Sequence, residues 1–209
     1  MKSEAMKSEA MKSEAMKSEA MKSRTSTSDR RALLLIDLQN DFVEGGSLAV
    51  PGGMEVVDVA NCLMEKFDLV VATQDWHPPD HQSFASEHQG LSIGDVFELH
   101  GLPQTAWPDH CVQETFGAEL VQQLNRDGIH CVIRKGTNGH IDSYSGFFDN
   151  GHRQSTGLAE YLRKQQIDHV YVMGLATDYC VRFCSIWLMN KITPQSWRHI
   201  RRDSCSPEA

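Results

Sequence analysis

The chain has 209 residues, 40% hydrophobic and 23% charged, with a formal net charge of −8. Such a composition suits one globular domain with a sizeable core, and the absence of a basic block excludes nucleic acid as the main partner, because phosphate binding needs clustered Lys and Arg. No apolar run approaches the roughly 18 residues that a membrane span requires, and the first residues show no apolar core of a secretion signal. Six cysteines without short regular spacing form neither a disulfide framework nor a CxxC zinc pattern, and a reducing cytoplasm fits them best. Residues 1–20 are four copies of MKSEA, and a Ser/Thr-rich stretch follows. Residues 1–30 therefore read as a low-complexity segment and linker outside the fold.

ALLLIDL, Ala32 to Leu38, is a short continuous apolar run, the pattern of a strand buried on both faces, and it ends around the carboxylate of Asp37. A glycine-rich loop leads to a helix predicted over Met54 to Phe67, with Val56, Val59, Ala60, Leu63 and Met64 as its apolar positions, and Asp68 to Thr73 is the second strand. Strand, helix and strand in this order make a parallel unit with a right-handed crossover, and ligands bind such sheets beyond the carboxyl ends of the strands. The stretch from Gln82 to His110 reads as a long irregular loop over that rim. A helix over Thr115 to Arg126, a third strand over Ile129 to Arg134, a helix over Ser155 to Gln166 and a fourth strand over Asp168 to Gly174 complete the regular pattern. The fourth strand turns through Ala176, Thr177 and Asp178 into a helix running from Asp178 to about Asn190.

Three candidates for chemistry share the inferred rim. Cys180 sits at the start of that last helix, where the dipole favours a thiolate and lowers a thiol pKa. Asp37 ends the first strand and Lys135 follows the third. An acid that accepts the thiol proton and a lysine that holds both charges would make Cys180 a nucleophile for acyl transfer, with the backbone N–H groups of Ala176 and Cys180 as oxyanion donors. Asp75, His77, His81 and His110 form a second set, and imidazole with carboxylate suits zinc, iron or manganese. Trp107 is placed to stack on a planar ligand.

The motifs DLQNDF, GGSLAVPGG, QDWHP, LPQTAWPDHCV, KGTN, DSYSGFFDN and GLATDYCV, in order from Arg31 to Phe183, resemble nicotinamidase/pyrazinamidase enzymes of the isochorismatase-like cysteine hydrolase superfamily. The resemblance implies a three-layer α/β fold on a doubly wound parallel sheet with strand order 3-2-1-4-5-6. It implies hydrolysis of nicotinamide to nicotinate and ammonia, and of pyrazinamide, in NAD salvage, with Asp37, Lys135 and Cys180 as the triad. Asp75, His77 and His110 match the family's metal ligands and His81 an additional ligand seen in some members, zinc being the first expectation and iron or manganese the others. Phe42 and Trp107 match residues lining the slot for the pyridine ring, and a cis peptide is expected before Ala176. The expected partner is a small pyridine amide, with homo-oligomerisation left open. An isochorismatase activity fits less well, since that vinyl-ether chemistry does not need Cys180.

The resemblance ends after Phe183. Residues 31–190 read as a hydrolase domain lacking the last two strands of its sheet, and 191–209 as an aberrant basic tail with Arg198, Arg201 and Arg202. A frameshift or early truncation would produce this pattern, and the alternative to a working enzyme is a non-catalytic remnant that at most binds a pyridine. In that reading the fourth strand is left as an open edge.

Overall fold

A computed structural model of the chain describes residues 29–191 and 197–199. The MKSEA repeats and most of the tail lie outside them. Strand β1, Arg31–Ile36, is flanked on one side by β2, Leu69–Asp75, and on the other by β6, His169–Gly174. β5, Cys131–Lys135, lies parallel to β2. The helices are α1, Gly53–Met64, α2, Leu158–Lys164, and α3, Arg182–Lys191. A hairpin of β3, Val96–Leu99, and β4, Leu102–Thr105, stands apart from the main sheet.

Alternation along β1 builds two cores at once. Leu33 and Leu35 face α1 with Val57, Ala60, Leu63 and Met64. Ala32, Leu34 and Ile36 face the opposite way, against Leu158 and Leu162 of α2 and Val181, Cys184 and Leu188 at the last helix. Each large apolar side chain so enclosed contributes about 1.5–3 kcal/mol relative to exposure. The three-layer α/β/α architecture follows from this two-sided burial.

The sheet order is β5-β2-β1-β6-β7, which is 3-2-1-4-5 when only the strands of this sheet are counted. β7, Trp197–His199, lies within the segment expected to be an aberrant tail and pairs in parallel with Val170 to Val172 of β6. The expectation that no strand follows Phe183 is thus corrected: three residues occupy the fifth place and cover part of the β6 edge. The place of a sixth strand lies outside the described residues.

Two further expectations give way. Thr115 to Arg126 is a series of turns, not a helix. Its backbone groups are taken by the Leu38 to Asp41 segment: the amides of Asn40 and Asp41 donate to the carbonyls of Glu119 and Gly117, and that of Val121 donates to Leu38. The Ala118 carbonyl accepts from the side-chain amides of Gln39 and Gln74. Acceptors so used are lost to an α-helical ladder. The Gln82 to His110 loop, in turn, contains the β3–β4 hairpin, whose two turn residues His100 and Gly101 have φ of 50° and 83°, the conformation that a two-residue hairpin turn needs.

Candidate active site

The three strand ends meet on one rim. Asp37 directly follows β1 with φ 51°, and its carboxylate is fixed by the Thr73 hydroxyl, which donates to Oδ1 at 2.6 Å. Lys135 closes β5 opposite Asp75 of β2. β6 ends at Gly174, opposite Ile36, with φ 132°; a Cβ there would lie 2.1 Å from the Ile36 carbonyl oxygen. Only glycine allows the close approach that brings the following loop over Asp37. The Leu175–Ala176 peptide is cis, as expected. Thr177–Val181 then forms a π-helical turn, in which the Val181 amide donates to the Ala176 carbonyl at 3.2 Å, before α3 begins. The expected helix start is thus a π turn, a form frequent at functional sites.

Lys135 joins the predicted triad. Its ammonium, fully enclosed, lies 2.6 Å from Asp75 Oδ1 and 2.9 Å from Asp37 Oδ2. It also donates to the Ser143 carbonyl at 3.0 Å and faces Cys180 Sγ at 3.5 Å. Burial opposes its charge, yet the two carboxylates outweigh burial and hold its pKa well above the usual lysine value. Desolvation raises the pKa of Asp37, against the pull of Lys135. Desolvation also drives the Cys180 thiol well above its ordinary value, with Lys135 opposing. The expected lowering by the helix terminus is thus corrected: burial and the nearby carboxylates win. To act as a nucleophile, a resting thiol of this kind would have to lose its proton at the moment of reaction, and the carboxylate of raised basicity beside it could take it.

Backbone pairing assembles the second set. The His77 amide donates to the Cys111 carbonyl at 3.0 Å and the Gln113 amide to His77 at 2.8 Å, so His110 is carried to His77, with ring centroids 4.9 Å apart. The His81 ring lies 4.3 Å from that of His77, tilted against it by 51°. Gln39, wholly buried, clamps the backbone of Asp75, accepting from its amide at 2.7 Å and donating to its carbonyl at 2.8 Å. Donor atoms of Asp75, His77 and His110 lie within 4.8 Å of one another. His77 Nδ1 donates to the Gly136 carbonyl at 2.9 Å, and its buried Nε2 has no hydrogen-bond partner. Burial keeps this imidazole neutral by pushing its pKa well down. A neutral ring with its proton fixed on one nitrogen and the other bare is the state of a metal ligand. These residues fit a divalent ion.

Phe42 is buried edge-on to His110 at 5.7 Å, and Trp107 is half-buried, edge-on to Tyr179 at 4.9 Å. The residues that sequence reasoning left without roles are Tyr144, Gln104, Phe84 and Asp142. Tyr144 accepts from Trp107 Nε1 at 3.1 Å and from Gln104 Nε2 at 3.0 Å. Phe84 packs against His77, His81 and His110. DSYSGFFDN had marked an aromatic segment, but nothing in its spacing placed Asp142 near histidines sixty residues earlier.

A thiol, an acid and a lysine that meet at the strand ends of a doubly wound parallel sheet suit a hydrolase of α/β class. Residues 31–185 match the isochorismatase domain, and the chain belongs to that family. It is 56% identical over 157 residues to the nicotinamidase of Escherichia coli, covering 73% of each chain. The yeast nicotinamidase bound to the inhibitor nicotinaldehyde superposes with TM-score 0.72 at 32% identity, over 76% of this chain and 81% of that one. The pyrazinamidase of Pyrococcus horikoshii in complex with zinc gives TM-score 0.61 at 36% identity, over 77% and 79%. Within the family the chain is an amidohydrolase of the nicotinamidase type.

Proposed function

We propose that this chain hydrolyses nicotinamide to nicotinate and ammonia, and pyrazinamide likewise, through a thioester on Cys180, and that it serves NAD salvage in the cytoplasm. The observation that carries the reading is the buried ammonium of Lys135 touching both Asp37 and Cys180. Asp37 takes the thiol proton as sulfur attacks the amide carbon, a C–S bond forms, and the carbonyl oxygen gains the negative charge. The amides of Ala176 and Cys180 donate to that oxygen. Collapse breaks the C–N bond, and Asp37 returns its proton to the departing ammonia. Water, deprotonated by Asp37, then attacks the thioester and regenerates the thiol. Lys135 keeps the carboxylate ionised between these transfers and fixes its direction.

Asp75, His77 and His110 would hold a divalent metal, zinc first, with His81 at its edge. When bound, the ion supplies a Lewis-acid anchor for the pyridine nitrogen. Phe42 and Trp107 wall the ring and orient the amide toward Sγ. Nicotinaldehyde on the yeast relative and zinc on the Pyrococcus relative support the ligand class and the ion. No helix among the described residues is long and apolar enough to cross a membrane.

Ammonia release from nicotinamide by the purified chain, with Cys180→Ala beside it, tests the reading. Turnover by the wild type and none by the variant is expected; equal rates in both would refute it.

A further inference from the structure

Asp41 lies in the loop between β1 and α1, within the single 3-10 turn Asn40–Phe42, and has no part in the chemistry above. It is held from several sides. Its backbone amide donates to the Gly117 carbonyl at 3.0 Å, and its backbone carbonyl accepts from the Leu48 amide at 3.0 Å. Of its carboxylate, Oδ1 accepts from the Ser47 amide at 3.3 Å and Oδ2 from the Cys111 amide at 2.7 Å. The second bond joins residues seventy positions apart and has the short length of a bond to a charged oxygen. Gly117 makes room for it: a Cβ there would lie 2.1 Å from Asp41 Oδ2.

What this carboxylate reaches is the backbone of His110. The Cys111 amide belongs to the planar peptide unit that leaves His110, so a partner on that amide fixes the direction of the chain at the root of the imidazole. Cys111 has φ 47°, a left-handed conformation that a residue with a β-carbon keeps only where its surroundings hold it. Both of its backbone polar groups are taken, the amide by Asp41 and the carbonyl by the His77 amide at 3.0 Å. The next residue after Asp41 meets the same histidine from another direction, since the Phe42 ring stands edge-on to that of His110 at 5.7 Å.

We propose that Asp41 is a positioning residue of the metal centre: its carboxylate, cradled by Gly117, holds the Cys111 amide and so sets His110 against His77, from outside the Asp75, His77 and His110 ligands. This assignment rests on the metal-centre reading above. A ligand set arranged in advance binds an ion without first ordering a loop, and the partners that hold such ligands are worth about 10–100-fold in metal affinity. A carboxylate that merely tied together the loop around Ser47 and Leu48 would behave otherwise. Its loss would lower the melting temperature and leave the ion bound as tightly as before.

Zinc affinity of the full-length chain, measured by chelator competition, tests the assignment without recourse to turnover. Asp41→Ala removes both side-chain bonds and should weaken zinc about 10–100-fold. Asp41→Asn keeps one acceptor oxygen for the Cys111 amide and should lose less; should the alanine variant fail to fold, the asparagine variant takes its place in the cycle that follows. A double-mutant cycle with His110→Ala identifies the path of the effect. Because Asp41 acts through His110, its substitution should weaken zinc no further once that imidazole is gone. Unchanged zinc affinity in the Asp41 variants, or the same loss with and without His110, would overturn the proposal. His110→Ala also separates the two levels. If it binds zinc as the wild type does, the metal-centre reading itself falls and the role of Asp41 falls with it; if it weakens zinc while the Asp41 variants do not, only the role of Asp41 falls.

Discussion

Replacing Lys135 by Met removes one charge and keeps much of the volume. In the wild type the ammonium lies 2.9 Å from Asp37 and 2.6 Å from Asp75, and all three side chains are enclosed. Taking away the cation leaves two carboxylates buried without compensation, and breaking a buried pair in this way costs about 3–5 kcal/mol. That is a large part of the roughly 5–15 kcal/mol by which a domain is stable. The sign with pH follows from the direction of the Asp37 shift. Desolvation already raises its pKa with Lys135 present, and loss of Lys135 raises it further. A carboxylate whose pKa is raised binds more protons folded than unfolded, so the variant loses stability as pH rises and regains part of it in mild acid. Activity should fall by about 10²–10⁴-fold, because a protonated Asp37 no longer accepts the thiol proton. Urea unfolding of wild type and variant at neutral and mildly acidic pH, with ammonia release alongside, measures both effects. Asp37→Asn added to Lys135→Met should restore part of the stability and none of the activity. A single variant within about 1 kcal/mol of the wild type, a difference typical of exposed pairs, would refute the account of the buried charge cluster.

Two other outcomes follow from the same coordinates. Gly174→Ala sets a Cβ 2.1 Å from the Ile36 carbonyl oxygen at φ 132°, and should cost about 2–4 kcal/mol. For a chain of this size the melting temperature falls by roughly 2–4 °C for each kcal/mol, and an unchanged melting temperature would show that β1 and β6 do not approach as described. Burial pushes the Cys184 thiol up to about 12, whereas Cys62 is exposed. Iodoacetamide at pH 8 should therefore label Cys62 and spare Cys184, which peptide mass spectrometry of the native protein reads directly.

The site was legible in the sequence where a residue's role depends on its own strand or loop. Asp37 and Lys135 could be placed because each lies at the end of an apolar run, and strand ends in a parallel sheet share a rim. Phe42, Trp107, Asp75, His77, His81 and His110 lay in motifs that carry a family resemblance. Asp142 and Gln104 could not be assigned in the same way, since their meaning lies in contacts across about forty to sixty residues. The Thr115 to Arg126 segment failed for a related reason: its composition suits a helix, yet its carbonyls are taken by Leu38 to Asp41 and two glutamines. Local preference is a weak prior when tertiary hydrogen bonds compete for the same groups.

By itself the sequence determined the three-layer fold, the first four strands of the sheet and which candidate residues end them. Apolar periodicity, strand order and the chemistry of a thiol are properties of the chain before it folds. Tertiary structure alone decided the protonation of those groups. A thiol at a helix start is expected to ionise readily, and enclosure beside Asp37 and Asp75 reverses that. The surroundings of the histidines are likewise set from afar: Nδ1 of His77 faces the Gly136 carbonyl, fifty-nine residues on. Both outcomes depend on desolvation and on partners brought from distant segments, which no local stretch of sequence specifies.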